Sequence, residues 1–280
     1  MLDITTTMGT TASITTRKAS SPQAAVPADP LLKPLRRVRR QWTILGEINP
    51  FGAILSQSSD NSGTWDQAAF FETGVLEIAK VIRAAQVLSP MRFGTAVDFG
   101  CGVGRLSQAL TRQFERVIGI DVAESMIRAA VQFNQFPGRC SYIHNVAADL
   151  TVVPDQSADL IYSNITLQHM VPSLAESYIR EFFRIARPGA HVIFQVPSRP
   201  RSAAWHWVKN AAPIALSNLL WRVRTGNREA MESYFIPEQR VRQLVEQSDG
   251  AVGSVALDQY GPPGWQSRTY FCTRTAVVSA

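Results

Sequence analysis

The sequence predicts an α/β fold: a mostly parallel, doubly wound sheet of seven strands with a C-terminal antiparallel hairpin, plus N-terminal helices and a helical insertion as lid. Three observations predict it. From Thr95 onward, short apolar runs alternate with amphipathic stretches of about ten to fifteen residues, the rhythm of strand–helix–strand units around a parallel sheet. The runs are apolar along their whole length, as strands covered on both faces must be. The final stretch, "VGSVALDQYGPPGWQSRTYFCTR", holds two strand-like runs around a Pro-Pro-Gly turn, an antiparallel hairpin at one sheet edge.

Each element has its own warrant. Residues 1–35 are rich in Thr, Ser, Ala and Pro and read as a disordered leader. Residues 36–92 form a helical cap. In it, Gln41–Ser56 carries Gly46, Pro50 and Gly52 and reads as short helices with a break. Residues Asn61–Leu88 read as a helix with Ser62 or Thr64 as cap and an apolar face through Phe71, Val75, Ile78, Ala79 and Ile82. Residues 93–280 form the main domain. "TAVDFG", "RVIGID", "CSYIHNVA", "SADLIYSNITL" and "HVIFQVPS" are its strands. Helices fill Gly104–Phe114, Ala123–Gln135 and Ser173–Ala186, and "RPGA" (Arg187–Ala190) breaks the last of these. The stretch at about 199–232 interrupts the rhythm as a tryptophan-rich insertion. A helix follows, with Pro237 near its first turn.

Composition narrows the class. Of the 280 residues, 45% are hydrophobic and 18% charged, the balance of a globular protein. No uninterrupted apolar run reaches the roughly 18 residues of a membrane span, and the first residues lack the basic-then-apolar order of a secretory signal. Cys101, Cys140 and Cys272 are too widely spaced for a zinc site or a disulfide framework, which fits a reducing cytoplasm. Cys101 reads as a small apolar filler. The formal charge of +6 is concentrated in Leu35–Arg40 and Trp221–Arg228. Such runs are usually solvated surface, so charge alone does not establish a nucleic-acid partner.

The informative stretch is Val97–Leu106, "VDFGCGVGRL", followed by "RVIGID". A glycine turn from strand to helix lets backbone approach a ligand closely, and in such a sheet ligands sit at the carboxyl ends of the strands. Asp121 ends the second strand, where a carboxylate can accept both hydroxyls of a ribose. The glycines fall at Gly100, Gly102 and Gly104, with Leu106 where a dinucleotide fingerprint has its small third position. Asp98, two residues before the first glycine, would repel a pyrophosphate and suit a cation. S-adenosylmethionine (SAM), with an ammonium, a sulfonium and no phosphate, is therefore preferred over a dinucleotide.

With "VDFGCGVGRL", "VIGIDVAESMIRAA", "DLIYSNITLQHM", "IREFFRIARPGAHVIFQVPS" and the closing hairpin in this order, the chain resembles the class I SAM-dependent methyltransferases from about Phe70 to Arg274, the insertion excepted. The resemblance implies methyl transfer, with S-adenosylhomocysteine (SAH) as product. It implies that Asp98, Gly100, Gly102 and Gly104 hold the methionine part and that Asp121 binds the ribose. Val122 would lie against the adenine, and Asn164 and Ile165 would line the methionine side. Asp149 would face the adenine amino group, its alternative being a turn residue. Arg105 reads as a surface residue at a helix start.

The acceptor is less defined. An oxygen nucleophile needs a nearby base, and His169, just after the fourth strand, is the best single candidate; its alternative is a helix-entry histidine satisfied by backbone. His206, in the insertion, ranks second and is taken as substrate-binding with Trp42, Phe71 and Tyr234. His144 and His191 read as structural. "SNITLQ" stands where methylases of DNA amino groups carry an N/D-P-P-aromatic motif, and no RNA-binding module is evident. The expected partner is thus a small-molecule acceptor, with a hydroxyl on an apolar or glycosylated molecule preferred, no nucleic acid and no metal. A weak membrane-surface contact through the insertion is a minority reading. The rivals are a methyltransferase of nucleic acid or protein, a silent cofactor-fold binding protein, and a dehydrogenase.

Overall fold

In the computed structural model of the chain, the structure describes residues 29–55, 65–200, 233–258 and 265–275. Most of the expected leader, the expected caps Ser62 and Thr64, nearly all of the insertion with His206, and the Pro-Pro-Gly turn lie outside these residues.

The cap comes first. Helix α1 (Leu32–Ile48) starts inside the stretch expected to be leader; Pro34 is tolerated because it stands in the first turn, where N–H groups have no helical partner. It also runs through Gly46, read as part of a break. The close approach of Ser125 explains why: a Cβ on Gly46 would lie 2.5 Å from Ser125 Oγ. The break falls instead at Asn49, which accepts the Gly52 amide and caps α2 (Pro50–Ile54). Helix α3 (Gln67–Leu88) is capped by Asp66, whose carboxylate accepts from the Ala69 amide at 2.8 Å. Its buried stripe is Phe70, Gly74, Ile78, Ile82 and Ala85, so Phe71, Val75 and Ala79 flank the face they were expected to centre.

The main domain follows as β1 (Thr95–Phe99), α4 (Arg105–Leu110), β2 (Arg116–Asp121), α5 (Glu124–Gln132), β3 (Cys140–His144) and β4 (Ala158–Ser163). It closes with α6 (Pro172–Ile185), β5 (Ala186–Pro200), α7 (Glu238–Gln247), β6 (Gly250–Asp258) and β7 (Trp265–Arg274). The seven strands form one sheet in the order β3-β2-β1-β4-β5-β7-β6. The first five are parallel, and β7 runs antiparallel between β5 and β6, as the hairpin reading required. "RPGA" does not break the chain out of the sheet. It is taken into β5 as an irregularity: Ala186 pairs Ala158, His191 pairs Leu160, and Gly189 between them adopts a φ of 79° that favours glycine.

Alternation along the strands gives the sheet two covered faces. Val97, Phe99, Ile161, Val192 and Phe194 pack under α6 and α7, with Phe99 against Tyr178 and Phe182 at centroid separations of 4.5 and 5.1 Å. Ala96, Leu160, Tyr162 and Ile193 face α3 and α4. Cys101, Cys140 and Cys272 are buried free thiols. No helix among the described residues is long and apolar enough to cross a membrane.

Candidate active site

The strand order reverses between β1 and β4, where the connections leaving the carboxyl ends go opposite ways and open a cleft. An open pocket lies there. Its floor is chain that follows the central strands: Phe99 to Gly102, Ile120 to Val122, Asn145, and Asn164 to Thr166. Its roof comes from the cap, with Val38 and Trp42 of α1 and Ile54 of α2.

The turn after β1 needs its glycines for shape. Gly100, Gly102 and Gly104 have φ of 77°, 53° and 84°, the left-handed region that side chains disfavour. A Cβ on Gly100 would lie 2.1 Å from Thr166 Oγ1, and one on Gly102 would lie 2.6 Å from Ile54 Cδ1. Four amides of the turn are spent inside the protein, that of Gly104 on the Cys101 carbonyl. Gly100 and Cys101 donate to the Ile120 carbonyl, and Gly102 donates to Asp121 Oδ2 at 2.9 Å. The turn is a fitted surface rather than a row of donors.

Asp121 is the residue that joins the two strands' ends. Its Oδ2 takes the Gly102 amide and its Oδ1 takes the Ala123 amide at 2.8 Å. Each oxygen keeps a lone pair for another donor. Burial pushes the Asp121 carboxyl up, against the backbone hydrogen bonds that pull it down. Asp98 sits beneath the turn, accepts from Ser107 Oγ at 2.6 Å, and is 1% exposed. Burial pushes its carboxyl up to about 7; the Ser107 hydrogen bond and the Arg105 charge oppose that.

The stretch 97–194 matches a family described as a methyltransferase domain. Over 112 residues, the chain is 28% identical to phosphoethanolamine N-methyltransferase 3 of Arabidopsis thaliana, covering 39% of this chain and 22% of that protein. Over 105 residues it is 32% identical to the malonyl-(acyl-carrier protein) O-methyltransferase of Yersinia pestis, covering 35% and 34%. The chain therefore spans about a third or less of the length of these relatives. Among solved structures, it is similar to magnesium protoporphyrin IX methyltransferase of Synechocystis PCC 6803 with bound SAH. The TM-score is 0.58 at 18% identity, over 86% of this chain and all of that one. At that identity the likeness shows the fold.

The cleft gathers Gly100, Gly102, Asp121, Val122, Asn164, Ile165 and Trp42 of the residues expected from sequence, while Asp98 lies beneath the turn and outside the lining. Gly104 begins α4 against Tyr142, outside the lining. Asp149 also lies outside it: its Oδ1 accepts from the Thr151 amide and hydroxyl, which is the turn alternative. Asn145 takes the place at the end of β3. Phe71 joins an aromatic seam with Phe51, Phe70 and Phe133. The Tyr234 amide donates to the Gln168 carbonyl, and Tyr234 is not among the lining residues.

His169 stands one ring behind the cleft. It is 8% exposed, lies edge-on to Trp42 at 5.2 Å, and its Nε2 is 3.1 Å from Gln168 Nε2. His191 bonds Ser89 Oγ and the Pro90 carbonyl, and His144 the Val122 carbonyl. Arg105 corrects the surface reading: it is 3% exposed, lines the cleft, and pairs with Glu77 of α3 at 2.8 Å. Gly74 permits this, since a Cβ there would lie 2.5 Å from the Arg105 carbonyl oxygen. Glu77 itself was missed. The signal available was a carboxylate beside the apolar stripe of α3, three residues after Gly74.

Proposed function

We propose that the protein is a methyltransferase that uses SAM to methylate a hydroxyl of an apolar or glycosylated small molecule. Asp121 on the glycine turn carries the cofactor reading. Its oxygens are anchored by one amide each and keep lone pairs for two ribose hydroxyls. The amides of Gly100, Cys101, Gly102 and Gly104 are taken up internally, which leaves the turn few donors for a pyrophosphate and supports a nucleoside without phosphate. Bound SAM supplies an activated methyl group; the chain has to align the acceptor and keep water away. Val38, Trp42, Ile54, Leu106 and Met170 provide an apolar enclosure for both tasks.

A neutral acceptor is favoured over a cationic amine. The carboxylate lining the described part of the cleft is Asp121, already committed to the turn. The edge-on contact of His169 with Trp42 supports a role for the histidine in seating that ring beside the acceptor.

The test begins with calorimetric titration of SAM, SAH and NADH into the protein and its Asp121→Ala variant. Micromolar binding of both sulfur nucleosides, lost in the variant, is expected; NADH binding in their place would overturn the reading. SAH release is then followed with matched apolar scaffolds bearing a hydroxyl or a primary amine, and turnover of the hydroxyl member is expected.

A further inference from the structure

Helix α1 presents a different surface on each side. Leu35 and Val38 are buried, and Val38 and Trp42 roof the cleft. On the opposite side, at helical spacing, Lys33, Arg36, Arg37 and Arg40 are exposed. The same stripe continues through Ile44 and Ile48, 42% and 68% exposed. Arg39 is exposed on the flank of that face.

The cations stand at the wrong end for the helix itself. They fall in its N-terminal half, with Lys33 in the first turn, and the first turn holds no acid. A helix dipole disfavours positive charge there. Glu47, the acid of this helix, turns to Arg128 of α5 at 3.9 Å, and Asp29 before the helix accepts the Leu31 amide. Among the described residues, no carboxylate pairs with Lys33, Arg36 or Arg39. A helix that only roofed a cleft would gain nothing from this placement. An external anionic surface offsets it.

The isoleucines indicate which kind of surface. A nucleic acid would engage the cations and leave Ile44 and Ile48 in water. An acidic protein would have to match each cation with a carboxylate and add an apolar patch at the far end. A leaflet of anionic lipid takes both halves of the stripe without any register. Phosphates meet the cations, and aliphatic side chains enter the boundary with the acyl chains.

We propose that the exposed face of α1 docks on an anionic lipid surface. The contact depends on neither the cofactor nor the acceptor of the reading above. It sets the roof of the cleft one helix diameter, about 10 Å, from the lipid.

The test is flotation of the full chain with vesicles of phosphatidylcholine alone or with phosphatidylglycerol added. Three variants are compared with the wild type: Lys33→Glu/Arg36→Glu/Arg39→Glu, Ile44→Ser/Ile48→Ser, and Lys80→Glu/Arg83→Glu/Arg92→Glu. The last reverses as many exposed charges away from α1 and controls for net charge. Circular dichroism reports folding. The wild type is expected to float with the phosphatidylglycerol vesicles alone and to be released by salt. Affinity is expected to fall about tenfold or more on charge reversal in α1 and about threefold in the isoleucine variant, with the control within about twofold. Binding to both vesicle types alike, binding to neither, or an equal loss in the control would overturn the proposal. So would an unchanged isoleucine variant, or a DNA duplex or polyglutamate displacing the protein from the vesicles at matched charge, since either outcome marks α1 as a general polyanion site. If the charge-reversed helix does not fold, Lys33→Gln/Arg36→Gln/Arg39→Gln decides in its place.

Discussion

The Arg105 guanidinium lies 2.8 Å from the Glu77 carboxylate, with only 4% and 8% of the two side chains exposed. Breaking such a pair from one side leaves an uncompensated buried charge. Glu77→Ala is therefore expected to destabilise the fold by about 3–5 kcal/mol. Replacing both partners by neutral side chains of similar size recovers most of that loss. Urea unfolding of the two variants checks the order, and equal losses would contradict it.

Asp98 sets a pH dependence. Its folded value of about 7 lies above the ordinary 3.8, so the folded state holds a proton that the unfolded chain has released. The contribution is stabilising and complete below about pH 4, and it is lost as pH rises through about 7. Other groups titrate in the same window, so the difference between the wild type and Asp98→Asn isolates it. The wild type's stability relative to the variant is expected to fall between pH 4 and pH 7. A parallel pair of pH curves would show that Asp98 is ionised throughout.

Two glycines separate strain from mere occupancy. Gly100→Ala places a methyl 2.1 Å from Thr166 Oγ1 on a backbone with φ of 77°. A loss of about 2 kcal/mol or more is expected, with nucleoside binding abolished. Nothing stands within 4 Å of a Cβ on Gly138, and its φ lies outside the left-handed range. Gly138→Ala should leave stability unchanged or raise it by up to about 1 kcal/mol. Thermal unfolding of the two variants distinguishes them.

His169 lies edge-on to Trp42 and outside the described lining of the cleft, and on the proposed reading it seats that ring. His169→Ala is expected to raise KM for the acceptor while the pH profile of kcat keeps its shape. Disappearance of the acid limb of that profile would restore the histidine as the base.

The succession of strands along the chain, the hairpin at the edge and the glycine turn were legible because each is a local pattern: apolar runs of strand length, turn residues, and Gly100, Gly102 and Gly104 between two acids. Asp121, Val122, Asn164 and Ile165 were legible for the same reason, as each ends or follows a strand. Arg105 and Glu77 were not. They are 28 residues apart, and nothing in either neighbourhood announces that Gly74 brings the two helices close enough to pair them. Asp149 was ambiguous in sequence because an aspartate two residues before a threonine serves a turn as well as a ligand, and here Thr151 claims it. The stripe of α3 was displaced by one residue because Phe70 and Phe71 are indistinguishable by hydropathy, and the core side is chosen by packing against Phe51 and Trp65.

The roof and floor of the cleft are drawn from separate stretches of chain. Val38, Trp42 and Ile54 lie before residue 56, while the turn and the strand ends begin at Phe99. The two left-handed glycines in the floor, Gly100 and Gly102, admit essentially one amino acid each, so that part of the gene has almost no freedom to drift. The roof carries no such restriction: aliphatic and aromatic side chains of many sizes fit a helix face. On the proposed reading, exchanging the first helices alone is therefore expected to change acceptor preference, as a tool head is changed while its handle stays in the hand.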